Sequence, residues 1–124
     1  MIPELSVFDI ERTKKFYRKL GFKIDYERTE DKFVFMSFQD SQFMFEQIHD
    51  DGWNIGELVY PLGRGINFSI AVDDIEELYK LVNHLNIELY RELTRNIYQV
   101  NGIEEMQIEF LIQDPNGYLL RFTN

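Results

Sequence analysis

"VFDIERTKKFYRKLGF", residues 7–22, decides the fold because its opening returns later in the chain. In "VDDIEELY", residues 72–79, Val7, Asp9, Ile10 and Glu11 recur as Val72, Asp74, Ile75 and Glu76, a constant offset of 65 positions. Leu20 maps onto Leu85 and Ile24 onto Leu89 at the same offset. Asp9 has the chemistry of a helix N-cap, a short carboxylate that accepts from the first free N–H groups. Ile10, Thr13, Phe16, Tyr17 and Leu20 then fall on one face at helical spacing. Gly21 follows as a residue free to take the positive φ that ends a helix.

Working outward, residues 2–7 and 22–27 read as strands on either side of this helix. "KFVFMSF" and "QFMFEQI" then form a hairpin about a turn at Asp40-Ser41. In the second copy "INFSIAV", residues 66–72, is a strand. Asp73 or Asp74 caps a helix whose buried side is Ile75, Leu78, Leu81, Val82 and Leu85. "IELYRE", residues 87–92, is a short strand. A closing hairpin pairs residues 107–112 with 118–123 about the polar turn "DPNG". Residues 96–106 carry no assignment. The order strand, helix, strand, hairpin occurs twice, which is the mark of a duplicated βαβββ module. The predicted class is α+β, one domain with module one at about residues 1–50, a linker at about 51–64 and module two at about 65–124.

Hydrophobic residues make up 44% of the 124 positions and charged ones 28%, enough apolar mass for a core. Eleven Phe, seven Tyr and one Trp suit both a core and a cavity for flat ligands. The net charge of −9 disfavours nucleic acid and anionic membranes and favours cationic small molecules. With no cysteine, disulfides, thiolate nucleophiles and zinc–thiolate sites are excluded. Neither a signal-peptide pattern nor an apolar run of spanning length is present, so a cytoplasmic location is expected. The basic residues of "RTKK" and "YRKLGFK" lie on a predicted helix and its end and read as a solvated face.

Strand parity sorts side chains between two faces. In the first hairpin Val34, Met36, Phe38, Phe43 and Phe45 share a wholly apolar face that belongs under the helix. Phe33, Phe35, Ser37, Met44, Glu46 and Ile48 share the other. The first strand sends Pro3, Leu5 and Val7 to the core, and Glu4 and Ser6 to the opposite side. In the second module Asn67, Ser69, Ala71, Leu119, Arg121 and Thr123 take the side away from Phe68, Ile70, Val72, Leu120 and Phe122.

The duplicated module, the two capped helices and the terminal "DPNGYLLRF" resemble the vicinal oxygen chelate superfamily, which contains glyoxalases, extradiol dioxygenases and fosfomycin- and bleomycin-resistance proteins. The resemblance covers nearly the whole chain. It implies that the modules curl a mixed sheet around one cavity. It also implies four metal-ligand positions, which fall here at Ile2, Glu46, Asn67 and Arg121. Of these only Glu46 is a ligand of the expected type, because Ile2 cannot coordinate, an Asn amide is a poor donor, and Arg121 carries a fixed positive charge. His49 and His84 match no motif position and read as surface residues.

The resemblance is therefore nearest the metal-free, bleomycin-resistance-like branch. It implies a small-molecule binder with no cofactor and no catalytic residue, a cytoplasmic homodimer with a role in antibiotic resistance by sequestering a cationic or aromatic antibiotic. Glu46 and Arg121 are expected to approach each other where a metal would stand. Phe33 and Phe35 are expected to stack on the ligand, Glu4 and Glu46 to meet its charge, and Trp53 with Tyr60 to act as a lid. Ser37, Met44 and Asn67 complete the expected lining. Two other readings stand beside this one. The first is a glyoxalase- or dioxygenase-like metalloenzyme with atypical ligands such as Glu4, Asp25 or His49. The second is a dimeric sensor or interaction domain, with Pro3 directing an exchanged first strand.

Overall fold

The computed structural model describes all 124 residues, Met1–Asn124. The chain divides into two compact units. The first comprises residues 1–62 and the turn 114–117; the second comprises residues 63–113 and 118–124. Each holds one helix and a four-stranded mixed sheet, the α+β duplication that the sequence predicts.

The first unit is built from β1 (Glu4–Val7), α1 (Ile10–Leu20), β2 (Lys23–Arg28), β3 (Phe33–Phe38) and β4 (Ser41–Gln47), with a 3₁₀ turn at Thr29–Asp31. The sheet order is β1-β4-β3-β2, with β1 parallel to β4 and the other pairs antiparallel. Asp9 caps α1 by accepting from the N–H groups of Glu11 (3.0 Å) and Arg12 (3.2 Å). Gly21 ends it at φ 109°, a conformation that strains a side chain. Ile10, Thr13, Tyr17 and Leu20 are buried, and Tyr17 packs edge-on to Phe22 and tilted over Phe45. Val34, Met36 and Phe45 lie wholly buried beneath the helix.

Two details of this sheet differ from expectation. The turn of the β3–β4 hairpin falls at Gln39-Asp40, since Phe38 pairs with Ser41. Phe38 and Phe43 both pack on Phe22, at 5.0 and 6.1 Å between ring centroids, and this packing outweighs the turn preference of Asp-Ser. Because the slip is two residues, every side chain keeps its face. The first strand starts at Glu4, two residues later than predicted.

The second unit is built from β5 (Asn67–Ala71), α2 (Ile75–His84), β6 (Leu89–Val100), β7 (Ile103–Gln113) and β8 (Leu119–Thr123). Its order, β5-β8-β7-β6, reproduces that of the first unit strand for strand. Asp74, not Asp73, caps α2 through the N–H of Glu77 (3.1 Å). Ile75, Leu78 and Val82 are buried, while Leu81 and Leu85 are half-buried. Phe110 and Phe122 stack at 5.3 Å in the core.

The predicted short strand at 87–92 and the unassigned residues 96–106 are in fact one long ribbon of β6 and β7. Its turn is Asn101-Gly102, with φ of 52° and 79°, the double left-handed geometry of a two-residue hairpin. "VNGI" carries that signal in the sequence. Ile97, Val100, Ile103 and Met106 stand exposed along this ribbon.

The turn 114–117 is polar by composition and yet buried in the first unit. Tyr17 donates its hydroxyl to Asp114 Oδ2 (2.8 Å), and Asn116 Nδ2 donates to Thr13 Oγ1 (3.2 Å) and Asp114 Oδ2 (3.1 Å). Asn116 Oδ1 accepts from the N–H of Phe8 (3.0 Å). A buried carboxylate is tolerable only when its lone pairs are occupied in this way.

Candidate functional site

The face of the first sheet turned away from α1 is arranged in rows. Glu4, Met44, Phe35 and Tyr26 stand side by side across the four strands, and Ser6, Glu46, Phe33 and Arg28 form the next row. Plain alternation from Phe22 and Ile24 would send Tyr26 to the helix side. A bulge between Ile24 and Tyr26 reverses this and brings Tyr26 and Arg28 onto the open face. Bulges carry no reliable sequence signal, and neither residue was picked out from the sequence.

A groove of about 890 Å³ lies over these rows. Glu4, Glu30, Asp31, Glu46 and Asp51 line it, against the fixed cations Arg28 and Lys32. Five carboxylates facing two cations make it net acidic, and Tyr26, Phe33 and Trp53 add aromatic surface. Of the expected site residues the groove gathers Glu4, Phe33, Met44, Glu46 and Trp53. Phe35 and Ser37 share the sheet face without lining the groove; Ser37 is buried and donates to Asp25 Oδ1 (3.1 Å). Tyr60, before the cis bond to Pro61, is exposed and is not among the lining residues. Trp53 sits on the loop after β4 and is 96% exposed.

Of the two expected stacking rings Phe33 is buried and Phe35 half-buried. Phe33 is only 3% exposed, with the Arg28 guanidinium 4.1 Å from its centroid. Tyr26 stacks on Phe35 at 5.9 Å and 19°. The flat surfaces presented to the groove are therefore those of Tyr26, Arg28 and Trp53.

His49 is exposed, as expected, and it also lines the groove. Its Nε2 makes a short contact with Glu46 Oε1. The Asp51 N–H donates to Nδ1 (3.2 Å), so the neutral ring carries its proton on Nε2, toward Glu46. The hydrogen bond that His49 donates to Glu46 raises its pKa above the ordinary value, against a smaller desolvation cost. His84 ends α2 and is exposed, as expected.

In the second unit Asn67 and Arg121 lie on the corresponding face. Arg121 donates from Nε to Asn67 Oδ1 (3.1 Å) and from Nη1 to Glu109 Oε2 (3.4 Å). Each of Glu46 and Arg121 thus has an ionisable or charged partner inside its own unit.

The metal that the resemblance implies needs about three protein donors. Glu46 and His49 supply two, and no cluster of three His, Asp or Glu side chains forms. At the second-module positions the Asn67 oxygen already accepts from Arg121, and a guanidinium has no lone pair to give. These residues do not fit a resident metal ion.

No helix is long and apolar enough to cross a membrane. A search of curated proteins finds no match. Among solved structures, a glyoxalase/bleomycin resistance protein/dioxygenase from Alicyclobacillus acidocaldarius is 27% identical, with a TM-score of 0.69 over 99% of this chain and 88% of its own. The bleomycin resistance determinant encoded on transposon Tn5 is 22% identical, with a TM-score of 0.68 over 100% and 95%. TioX from Micromonospora sp. ML1 shares the fold at 16% identity and a TM-score of 0.73, over 100% and 96%. The profile of one family matches residues 3–122, so the chain belongs to the glyoxalase/bleomycin resistance protein/dioxygenase superfamily.

Proposed function

We propose that the chain is a metal-independent small-molecule binding protein of the bleomycin-resistance type, acting by sequestration. The observation that carries this reading is the acidic, aromatic groove of the first unit, which suits a cation bearing a flat ring. The net charge of −9 supports it by concentrating cations near the surface. Glu4 and Glu46 meet the ligand's charge, and Trp53 closes over it from the rim. Asn67 and Arg121 offer polar contacts on the second unit's own face, Tyr60 an aromatic one on its loop, and the working form is a cytoplasmic homodimer. Bleomycin, which the Tn5 protein is named for resisting, is the first ligand to try.

Titration with metal-free and copper-loaded bleomycin tests this through Trp53, the sole tryptophan. Saturable quenching at micromolar drug is expected. An unchanged spectrum removes bleomycin as the ligand. The Glu46–His49 contact is the one feature that favours an atypical metalloenzyme. Elemental analysis of the purified protein for zinc, manganese, nickel and iron decides between the two, and a stoichiometric metal overturns the binding reading.

A further inference from the structure

We propose that Arg28 is the stacking surface of the groove, and that the ligand joins a flat, electron-rich aromatic ring to an ammonium group by a short arm. This deepens the small-molecule-binding reading and rests on it.

Arg28 is held on three sides. Its guanidinium carbon lies over the Phe33 ring, 4.1 Å from the centroid. In the guanidinium plane, Nε donates to Asp31 Oδ2 (3.1 Å) and Nη1 to the Tyr26 hydroxyl (3.3 Å). Ring, carboxylate and phenol together fix a long side chain that otherwise samples many rotamers. The side chain is still 44% exposed and lines the groove, so the face turned away from Phe33 is accessible. A guanidinium is planar and weakly hydrated, and it stacks on aromatic faces. Phe33 already occupies one side, and a ligand ring on the other completes a sandwich.

This placement constrains the ring. A cationic ring is repelled by Arg28, whereas a neutral, electron-rich one is attracted through its quadrupole. The ligand's positive charge must then lie elsewhere. Glu46 is the next residue to Phe33 in the row, one strand spacing of about 4.8 Å away. An arm of two or three atoms carries an ammonium from a ring over Arg28 to that carboxylate.

The test titrates the intact protein with tryptamine and with 2-cyclohexylethylamine, which has a similar two-carbon ammonium arm but no π system. Arg28→Lys keeps the charge and loses the plane; it also identifies the Arg28 Nε–H resonance by its disappearance. Tryptamine is expected to shift that resonance by ring current and to bind about five- to tenfold more tightly than the cyclohexyl amine. Arg28→Lys is expected to erase the preference, and Glu46→Gln to weaken both amines alike. Tryptamine binding with the Arg28 resonance unmoved, or a preference that survives in Arg28→Lys, overturns the assignment and leaves the binding reading intact. Silence of both amines at millimolar concentration, together with silence of bleomycin, overturns the two together.

Discussion

Glu46 and His49 show how one contact changes what a residue means. From the sequence Glu46 is the one family ligand position still occupied by a ligand type, and His49 is a loop residue. In the structure they are a pair, with the imidazole proton directed at the carboxylate and Nδ1 held by the Asp51 N–H. The groups around the ring are Glu46 on β4 and Asp50 and Asp51 in its own loop, all of which favour the charged form. A raised folded-state pKa means that the stabilisation is fully present below the unfolded value, about 6.5, and is lost as pH rises through the folded value. An NMR titration of the two histidines checks this. The His49 midpoint is expected to drop in Glu46→Gln, and a midpoint indifferent to that change refutes the pairing. No sequence pattern announces the contact, because it depends on how the chain turns after β4.

At the scale of elements, most of what the sequence shows is periodicity and end chemistry, and most of it survives. Asp9 and Asp74 cap as their side chains demand, and Gly21 takes the positive φ that ends α1. Parity survives even where register does not, because the slip in the β3–β4 hairpin is even. Two features escape the periodicity. The bulge in β2 is set by tertiary packing, so Tyr26 and Arg28 could not be placed. The ribbon of β6 and β7 was legible through Asn101-Gly102 but was masked by its polar, weakly alternating flanks. Both turn residues hold positive φ, and no neighbour crowds Gly102, so its role is conformational alone. Gly102→Ala is therefore expected to cost about 1 kcal/mol. Hydrogen exchange is expected to quicken at the amides of Ile97 and Met106 while Phe110 and Ile112 keep their protection. A uniform loss of protection contradicts a local role for the turn.

At the scale of the whole molecule, the superfamily was legible from the 65-residue repeat and the terminal "DPNGYLLRF", and the two matching sheets bear it out. What the repeat conceals is that its halves are specialised. The first unit carries the acidic groove, whereas the matching face of the second carries Arg121 bound to Asn67 and Glu109. The buried cluster of Thr13, Tyr17, Asp114 and Asn116 has no unsatisfied side-chain polar atom. Tyr17→Phe removes a hydrogen bond to a buried carboxylate and is expected to cost about 1.5–3 kcal/mol in chemical denaturation. A variant within a few tenths of the parent assigns that bond no net worth.

The same cluster has a consequence for synthesis. The hydroxyl of Tyr17 and the carboxylate of Asp114 are 97 positions apart, yet they belong to one compact unit. A nascent chain that has emerged only through the first module holds α1 and its sheet but lacks the turn that closes them. Thr13, Tyr17 and the backbone of Phe8 must wait, hydrated, until the β7–β8 turn leaves the ribosome. The first module is therefore the first to be made, yet it cannot complete its fold until nearly all of the second has been translated.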